Sequence, residues 1–476
     1  MLNSPFGVAL TYLAPFGVIA AAAALRKLGA AAETSRKFAH ILLSHWILLA
    51  LAVYQSPWIA AIAPASFILI NYLTYRKLIY SPLERDDNET PGTVWYAVSL
   101  CILCFVGFAL EMPWIAACGM LAMGYGDGFG ALVGKRWGKH PFPHAPKSLE
   151  GMATVALFSA LAVGAVAFFY APELTLPFIV QMALACAVPA AAIELYSPRG
   201  FDNVTLPLGV SAMVYLLVQF PALLPLFTAL SIGLLILLLA YYLRAITFWA
   251  LQAATLLGAA LFIFGEWLLF AALVAFFLLG SSISRAGKKR KADAVALHQR
   301  QGARTVAQVA ANGLPPLIFG ALYFFIGGDA FLLAALACLA AASADTFSSE
   351  MGMLSARPPR SILTFRPIQK GLSGGVSPLG LLGALLGAGV LSLFALPRFG
   401  ASGALVVIAV GFVCALLDSL LGATLQAKYQ HQHQLTERET ANGRPLTLAH
   451  GVRWMNNDAV NFIAPMLGAL ALVIIW

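Results

Sequence analysis

Apolar stretches long enough to cross a lipid bilayer recur along the whole chain, and they constrain its fold more than any other feature. About sixteen such stretches of roughly 17 to 25 residues are separated by short polar breaks. Inside hydrocarbon, an α-helix satisfies its own backbone hydrogen bonds, whereas an open loop or sheet edge does not. With 61% hydrophobic and 10% charged residues, the chain lacks the polar surface that a water-soluble protein needs. The sequence therefore predicts an all-α, polytopic integral membrane protein of about sixteen transmembrane helices.

The positions of the basic residues predict how the chain is oriented. If the N-terminus lies outside, every second connection lies in the cytoplasm, and only Arg398 of the 29 lysines and arginines then falls outside. We therefore expect both termini outside, in a plasma membrane of bacterial type. The net charge of +9 follows from this topology and does not indicate nucleic-acid binding. The run GKKRK at residues 287–291 is interpreted in the same way, as an orientation anchor.

Acidic residues at the ends of the predicted spans are the most informative polar residues. A carboxylate near hydrocarbon is costly and usually marks an ion pathway, a binding site or a catalytic site. In the predicted topology these residues all lie at cytoplasmic ends, and they form two groups that divide the chain into halves, residues 1–220 and 221–476. The residues concerned are Asp127, Glu194, Asp202, Asp345, Glu350, Asp418 and Asp458.

The first group is built around Gly126-Asp127-Gly128, which is followed by Lys135 and Arg136 and then by Lys147-Ser148-Leu149-Glu150-Gly151. A carboxylate, glycines that admit a close ligand approach and several basic residues suit a magnesium-bound polyphosphate. The alternative is a basic membrane anchor with small residues for helix packing. An anchor needs neither Asp127 nor Glu150, so we favour the polyphosphate site.

Two further segments of the first half belong to the same predicted site. Asp202 and Asn203 open one span, and Arg36, Lys37 and His40 open another. A single histidine in an apolar segment is more often an interior residue with a satisfied hydrogen bond. Because His40 lies one helical turn from Arg36, it becomes a candidate to contact a phosphate or a hydroxyl group.

The second group contains carboxylates, a lysine and glycines in the same order along the chain. Asp345 and Glu350 close one predicted span, the segment KGLSGG at residues 370–375 precedes the next, and Asp418 lies near the end of the one after that. On a continuous helix, Asp345 and Glu350 would diverge by about 140°. A helix end or a turn is therefore needed if both are to face one metal ion. The flanking polar residues are Arg304, Gln308 and Asn312 upstream, and Asn457 and Asp458 downstream.

Side by side, the two halves resemble a degenerate duplication. The matching elements are Arg36-x-x-Ala39-His40 with Arg304-x-x-Ala307-Gln308, Asp127 with Asp345, KSLEG with KGLSG, and Asp202 with Asp418. Chance matching is the alternative, since short motifs recur easily in apolar sequence of low complexity.

Each half also resembles a known family. The first half resembles the polyprenol kinases, which include phytol kinase and dolichol kinase, through RKFAH at 36–40, GDGFGALVGKRWGKH at 126–140, KSLEG at 147–151 and DNVTLPL at 202–208. The second half resembles the transmembrane family that includes phytyl-phosphate kinase, through RTVAQVAANG at 304–313, SADTFSSEMG at 343–352, KGLSGGVSPLG at 370–380 and DSLLGATLQ at 418–426.

These resemblances imply a fused, two-step membrane enzyme of isoprenoid salvage. The first half would phosphorylate a prenyl alcohol such as phytol or geranylgeraniol, and the second half would convert the prenyl phosphate to the diphosphate. The implied phosphate donor is a nucleoside triphosphate, CTP or ATP, and CTP is favoured because it is the usual donor in these families. The implied cofactor is Mg²⁺. The sequence alone does not select the alcohol, the catalytic base or an oligomeric state.

The resemblances also imply roles for individual residues, carried over motif by motif. Catalytic contacts to the donor phosphates and the metal would come from Asp127, Lys147, Glu150, Asp202, Asp345, Glu350, Lys370 and Asp418. The metal ligands among these would be Asp127, Asp202, Asp345 and Asp418. Substrate and nucleotide contacts would come from Arg36, Lys37, His40, Gly128, Lys135, Arg136, Ser148, Asn203, Arg304, Gln308, Asn312, Gly371, Ser373, Gly374, Asn457 and Asp458.

Two other functions compete with the kinase prediction. A CTP-dependent cytidylyltransferase acting on a lipid phosphate would carry a lysine-aspartate pair and a later aspartate-arginine pair near the C-terminus, and neither arrangement is present. A transporter with internal repeats would distribute its polar groups across the bilayer midplane, whereas here they gather toward one interface. A prenyl alcohol holds its hydroxyl at the interface and a nucleotide arrives from the cytosol, so the two can meet there.

Overall fold

The computed structural model describes residues 5–76, 90–143, 147–286, 302–431, 434–441 and 444–476. Thirteen helical segments of this described part are long and apolar enough to cross a membrane. The predicted all-α, polytopic membrane fold is confirmed. The orientation of the termini stays a prediction, and the basic run at residues 287–291 lies outside the described residues.

The chain forms two compact units, Met1–Leu238 and Leu239–Trp476. The helices within the first unit are α1 (Pro5–Lys27), α2 (Ala32–Ser44), α3 (Trp46–Val53), α4 (Pro57–Tyr75), α5 (Gly92–Ala109), α6 (Pro113–Trp137), α7 (Leu149–Tyr170), α8 (Leu176–Tyr196) and α9 (Asp202–Gln219). The division between the units falls within α10 (Leu224–Tyr242), one helix after the predicted boundary at residues 220 and 221. The assignment of each half to its own kinase family stays a prediction.

The second unit contains the remaining helices and all the short strands of the described residues. Its helices are α11 (Phe248–Arg285), α12 (Val306–Ile326), α13 (Asp329–Leu354), α14 (Pro378–Ser392), α15 (Leu396–Thr424) and α16 (Asn457–Ile475). Its strands are β1 (Arg360–Ser361), β2 (Gly375–Val376), β3 (Lys428–His431), β4 (Gln434–Thr436), β5 (Thr440–Ala441), β6 (Arg444–Pro445) and β7 (Thr447–His450).

Two of the thirteen segments are too long for a single crossing and are interrupted. The backbone of α11 leaves the helical conformation at Gly265 and Glu266. The segment Pro378–Thr424, which contains α14 and α15, is interrupted at Gly400. Dividing both segments at these breaks gives fifteen apolar segments in the described residues, and α9, an 18-residue helix, is not among them.

The central helix of each unit carries one of the predicted aspartates. Every residue of α6 from Trp114 to Gly124 is buried, and so is every residue of α13 from Leu332 to Ala344. A helix that is buried on all sides lies inside its bundle. Both buried runs are rich in alanine, and small residues let neighbouring helices approach closely. Asp127 and Asp345 follow these runs and are therefore placed among several helices at once.

Helices α7 and α14 begin with the same local structure. Ser148 Oγ accepts a hydrogen bond from Gly151 N at the start of α7, and Ser377 Oγ accepts one from Gly380 N at the start of α14. Both serines are therefore N-caps, and Ser377 is the structural counterpart of Ser148. The sequence match of KSLEG with KGLSG pairs Ser148 with Gly371 instead, and so it does not describe this equivalence.

The close contacts at these two helix starts are also equivalent. A Cβ atom added to Gly151 would lie 3.0 Å from the carbonyl oxygen of Gly130, on the central helix of the first unit. One added to Gly380 would lie 3.2 Å from the carbonyl oxygen of Ser348, on the central helix of the second unit. Each of these carbonyl groups belongs to the residue three positions after the predicted aspartate. The two units therefore share this packing of a capped helix against the aspartate-bearing helix.

Two connections of the second unit form small sheets where the sequence indicated only polar loops. Strands β3, β4 and β7 form an antiparallel sheet in the order β4-β3-β7, and β5 pairs with β6. Strand β1 pairs with β2, which directly follows the KGLSG segment. These sheets position the loop at residues 370–375, as described below.

Candidate functional site

Asp127 is the centre of a buried polar cluster in the first unit. Lys37 Nζ lies 2.6 Å from both carboxylate oxygens of Asp127, and His40 Nε2 lies 3.3 Å from Oδ2. Lys37 and His40 are three residues apart on α2, so they face the same side of that helix. Arg36 points elsewhere and pairs with Glu33 at 2.6 Å. The structure therefore brings Lys37 and His40 to Asp127, but not Arg36.

Three carboxylates converge in this cluster. One oxygen each of Asp127, Glu194 and Asp202 lies within 4.8 Å of the others, and the three residues come from α6, α8 and α9. The sequence indicated Glu194 as an acidic residue at the end of a span but assigned it no catalytic, binding or metal-ligand role. Its position at the end of an apolar helix is the signal for a site, because a buried carboxylate there needs compensation.

Lys147 joins the cluster through Glu194. Its Nζ lies 2.9 Å from Glu194 Oε1 and also donates to the main-chain carbonyl oxygen of the same residue. Lys147 directly precedes Ser148, the N-cap of α7, so the start of that helix determines where the lysine lies. The predicted proximity of Lys147 to the carboxylate site is therefore present in the structure.

Several buried polar atoms around the cluster have no hydrogen-bond partner among the described residues. They are Glu194 Oε2, Asn203 Oδ1 and the Tyr96 hydroxyl. Asn203 uses its Nδ2 to donate to the Gly92 carbonyl oxygen at 3.1 Å. Since buried polar groups are nearly always paired, such atoms indicate a place for a ligand or water. Carboxylate and amide oxygens are the donor set that Mg²⁺ prefers, so these residues fit the predicted metal.

Other predicted residues of the first unit lie outside the carboxylate cluster. Glu150 accepts hydrogen bonds from the Lys139 backbone at 3.1 Å and from His140 Nδ1 at 2.6 Å, so it holds the loop before α7. Lys135 and Arg136 are exposed in the last turn of α6, where Arg136 lies over the Trp137 ring. No described contact links these residues to Asp127, and their roles toward a nucleotide stay predictions.

The glycines around Asp127 allow neighbouring helices to pack closely against α6. A Cβ atom added to Gly128 would lie 2.5 Å from Ile41 Cγ1, so the space predicted for a ligand is occupied by α2. On the other side of α6, a Cβ atom at Gly130 would lie 2.6 Å from Val155 of α7. Helix packing therefore accounts for glycine at position 128, and this close approach of α2 to α6 brings Lys37 to Asp127.

We expect Gly128→Val to destabilise the first unit by about 1–3 kcal/mol, because the added side chain overpacks the contact between α6 and α2. The midpoint of thermal unfolding in detergent measures the effect. Gly17→Val is the matched control, since a Cβ atom at Gly17 meets nothing within 4 Å. Equal stability of the two variants would contradict the packing role.

The second unit contains a small cavity lined by polar residues from four helices. Asn312 of α12, Asp345 of α13, Asp418 of α15 and Asn461 of α16 contribute to it. The remaining lining residues are Ala341, Ala342, Cys414, Ala464 and Pro465. The cavity has room for about one water-sized particle. The structure thus brings together Asn312, Asp345 and Asp418, and it places Asn461, one turn after Asp458, beside them.

Glu350 does not share this cavity with Asp345. Both residues belong to α13, which continues to Leu354, so the helix end that the sequence required between them is absent. At 100° per residue the two side chains leave the helix in different directions. The condition for both carboxylates to face one metal ion is therefore not met, and the catalytic role of Glu350 stays a prediction.

The loop at residues 370–375 is held by the neighbouring sheet. Ser373 N donates to Glu437 Oε1 at 2.7 Å, and Lys428 Nζ donates to the Ser373 carbonyl oxygen at 3.0 Å. Burial lowers the pKa of Lys428, and the nearby Glu437 carboxylate opposes that shift. Lys370 donates to the Ser355 carbonyl oxygen at 2.5 Å and does not line the cavity.

Two glycines of this loop have a positive φ, namely Gly371 at 93° and Gly374 at 92°. The backbone conformation therefore accounts for glycine at both positions. At Gly374 the neighbouring helix adds a second reason, since a Cβ atom there would lie 2.7 Å from Ala423.

The flanking predicted residues have local structural partners. Arg304 lies over the Phe277 ring at 4.7 Å, and Gln308 forms a capping box with Thr305 at the start of α12. Asn457 and Asp458 lie in the first turn of α16, after the N-cap Asn456. The capping box explains Gln308 without a ligand, so its predicted nucleotide contact has no structural support.

Several known membrane proteins are similar to parts of this chain. The family model described as integral membrane protein DUF92 matches residues 231–469. A phytol kinase from Synechocystis sp. is 38% identical over 211 residues, which cover 44% of this chain and 88% of that protein. An uncharacterized membrane protein of Methanocaldococcus jannaschii is 34% identical over 205 residues, 43% of this chain and 74% of that protein.

A plant protein is also similar. Protein PGR of Arabidopsis thaliana is 29% identical over 223 residues, 41% of this chain and 77% of the relative. No solved structure matches. The resemblance to phytol kinase and to a transmembrane family, inferred from the motifs, is confirmed.

Proposed function

Because the chain belongs to the DUF92 family of integral membrane proteins and is related to a phytol kinase, we propose that it is a bifunctional isoprenoid kinase. The first unit phosphorylates a prenyl alcohol, such as phytol or geranylgeraniol, and the second unit phosphorylates the resulting monophosphate. CTP is the proposed donor in the first step. Both sites face the cytoplasm of a plasma membrane of bacterial type.

One observation carries this proposal. Five charged residues from separated parts of the first unit meet in one buried cluster. They are Lys37, Asp127, Lys147, Glu194 and Asp202. Phosphoryl transfer depends on neutralising charge and positioning the reactants, with little covalent participation by the protein. Ammonium groups and carboxylates held among closely packed helices provide both.

The reaction in the first unit is a direct displacement. The alcohol oxygen forms a bond to the γ-phosphorus, and the bond from that phosphorus to the β,γ-bridging oxygen breaks. The bridging oxygen leaves with the nucleoside diphosphate, and the hydroxyl proton passes to water. The products are the prenyl phosphate and a nucleoside diphosphate. Asp127 and Asp202 would hold Mg²⁺, which offsets the charge on the transferring phosphoryl group when bound. Lys37 orients the Asp127 carboxylate by donating to both of its oxygens.

In the second unit, Asp345 and Asp418 would hold the corresponding Mg²⁺. Asn312 and Asn461 line the same cavity and offer further oxygen ligands of the kind that Mg²⁺ accepts. The cavity is small, so it suits an ion rather than a nucleotide. The donor and the prenyl phosphate would therefore bind outside it.

The test uses the purified full-length protein with CTP or ATP and a panel of prenyl alcohols, followed by mass spectrometry of the lipid fraction. We expect a prenyl monophosphate and then a diphosphate, with label from the γ-phosphate of the donor in both. Transfer of labelled cytidine to a lipid phosphate would identify a cytidylyltransferase and overturn the proposal. The absence of any phosphorylated product with every alcohol and donor would also contradict it.

A further inference from the structure

The two carboxylate oxygens of Glu194 have different surroundings. Oε1 accepts a hydrogen bond from Lys147 Nζ at 2.9 Å. Oε2 is buried and accepts no hydrogen bond from any residue in the described part of the chain. Glu194 as a whole is 5% exposed, so bulk water does not compensate for the missing partner. One oxygen is thus occupied by the lysine, while the other remains available to a ligand.

Lys147 directs two hydrogen bonds at this one residue. Its Nζ donates to the Glu194 side chain and to the Glu194 main-chain carbonyl oxygen. Its own carbonyl oxygen accepts from Phe142 N at 2.8 Å, and the next residue caps α7. Both ends of the Lys147 residue are therefore held in place. This geometry orients the Glu194 carboxylate and uses two of the three N–H donors of the ammonium group on Glu194.

The formal charge of the cluster also favours a cation. Asp127, Glu194 and Asp202 contribute three carboxylates, whereas Lys37 and Lys147 contribute two ammonium groups. One negative charge is left in excess within a buried site, and an uncompensated buried charge is strongly unfavourable. A bound divalent cation would offset this excess negative charge. Carboxylate oxygens are ligands that such cations prefer.

We infer that Glu194 is a third ligand of a divalent cation in the first unit, through Oε2, and that Lys147 is the residue that positions it. This inference deepens the proposed function and rests on it only for naming the cation as Mg²⁺. It changes the role of Lys147, because the family resemblance implies a contact from this lysine to the donor phosphates. Outer partners of metal ligands typically contribute about 10- to 100-fold to metal affinity.

The experiment measures Mn²⁺ binding to the full-length protein in detergent, by the loss of the electron paramagnetic resonance signal of free Mn²⁺. No nucleotide or alcohol is added. All variants carry Asp345→Asn, so that the second unit contributes little. We expect Glu194→Gln to weaken Mn²⁺ binding about 10-fold or more, and Lys147→Met to weaken it about 10- to 100-fold. Lys147→Arg should retain most of the affinity, because it keeps a donor for Oε1.

Two comparisons make the result specific. Glu173→Gln is the matched control, since Glu173 is an exposed acidic residue in the connection between α7 and α8, and it should bind Mn²⁺ like the parent. Lys147→Met added to Glu194→Gln should cause little further loss, because the lysine acts through the glutamate. The midpoint of thermal unfolding in EDTA establishes whether each variant is folded. If Glu194→Gln fails this check, Glu194→Asp replaces it, and weakened Mn²⁺ binding is again expected.

Two outcomes would overturn the inference. Unchanged Mn²⁺ affinity in folded Glu194→Gln would exclude this carboxylate as a ligand. A normal affinity in Lys147→Met, together with a raised KM for the nucleotide, would show that the lysine contacts phosphate instead. Because metal binding is measured without turnover, a protein that binds Mn²⁺ through Glu194 but phosphorylates no alcohol would refute the proposed function and leave this inference standing.

Discussion

Asp127→Asn is expected to abolish phosphorylation of the prenyl alcohol, with a loss of about 100-fold or more in kcat, while phosphorylation of an added prenyl monophosphate continues. Asp127 lies at the centre of the first unit's cluster, where it contacts Lys37 and His40. Losing one preorganised group that stabilises the charge of a transition state typically costs about 10²- to 10³-fold in kcat. Separate assays with alcohol and with monophosphate, each analysed by mass spectrometry, measure the two activities.

The stability of this variant needs its own control, because the change leaves Lys37 buried without its carboxylate. Breaking one side of a buried ion pair typically costs about 3–5 kcal/mol. Asp127→Asn combined with Lys37→Met removes both charges, so it should recover much of the lost stability and none of the alcohol kinase activity. Recovery of activity in the double variant would show that Asp127 serves the fold alone.

Asp345→Asn is expected to make the prenyl monophosphate accumulate. Asp345 lines the polar cavity of the second unit, together with Asp418 and two asparagines. With the second reaction lost and the first intact, a time course from the alcohol should reach a plateau of monophosphate, with diphosphate reduced about 100-fold or more. Liquid chromatography with mass spectrometry follows both products.

Asp329→Asn is the matched control for this variant. Asp329 lies at the other end of the same helix, where it is exposed and pairs with Arg398 at 2.8 Å. An exposed pair of this kind contributes little to stability, so we expect an unchanged ratio of the two products. The two-site proposal would fail if either Asp127→Asn or Asp345→Asn removed both activities while the protein remained folded.

Equivalent local structures at α7 and α14 show how far a motif comparison can be trusted. The sequence paired Asp127 with Asp345, and both are indeed on the central helix of their unit. It also paired KSLEG with KGLSG, whereas the capping contacts relate Ser148 to Ser377. In such segments, sequence similarity is weak evidence for structural equivalence, because glycine and serine occur in turns, in helix caps and at close helix contacts.

Glu150 and Glu194 illustrate the same limit within one site. Glu150 belongs to a recognisable motif, yet its contacts hold the loop before α7. Glu194 belongs to no motif, yet it joins the carboxylate cluster and binds Lys147. A motif reports which residues are close in the chain, and Lys147 and Glu194 are 47 positions apart.

The amino-acid sequence was enough to establish the membrane fold and the importance of the acidic residues at the ends of the spans. Long apolar runs leave the helix as the structure that satisfies the backbone in hydrocarbon, and a carboxylate there must be compensated. The packed helices were needed to identify the partners, namely Lys37 for Asp127, Lys147 for Glu194, and Asn461 for the second cavity. Helices that are apolar on every face carry no periodic signal of their rotation, so which side chains meet follows from packing at small residues such as Gly128.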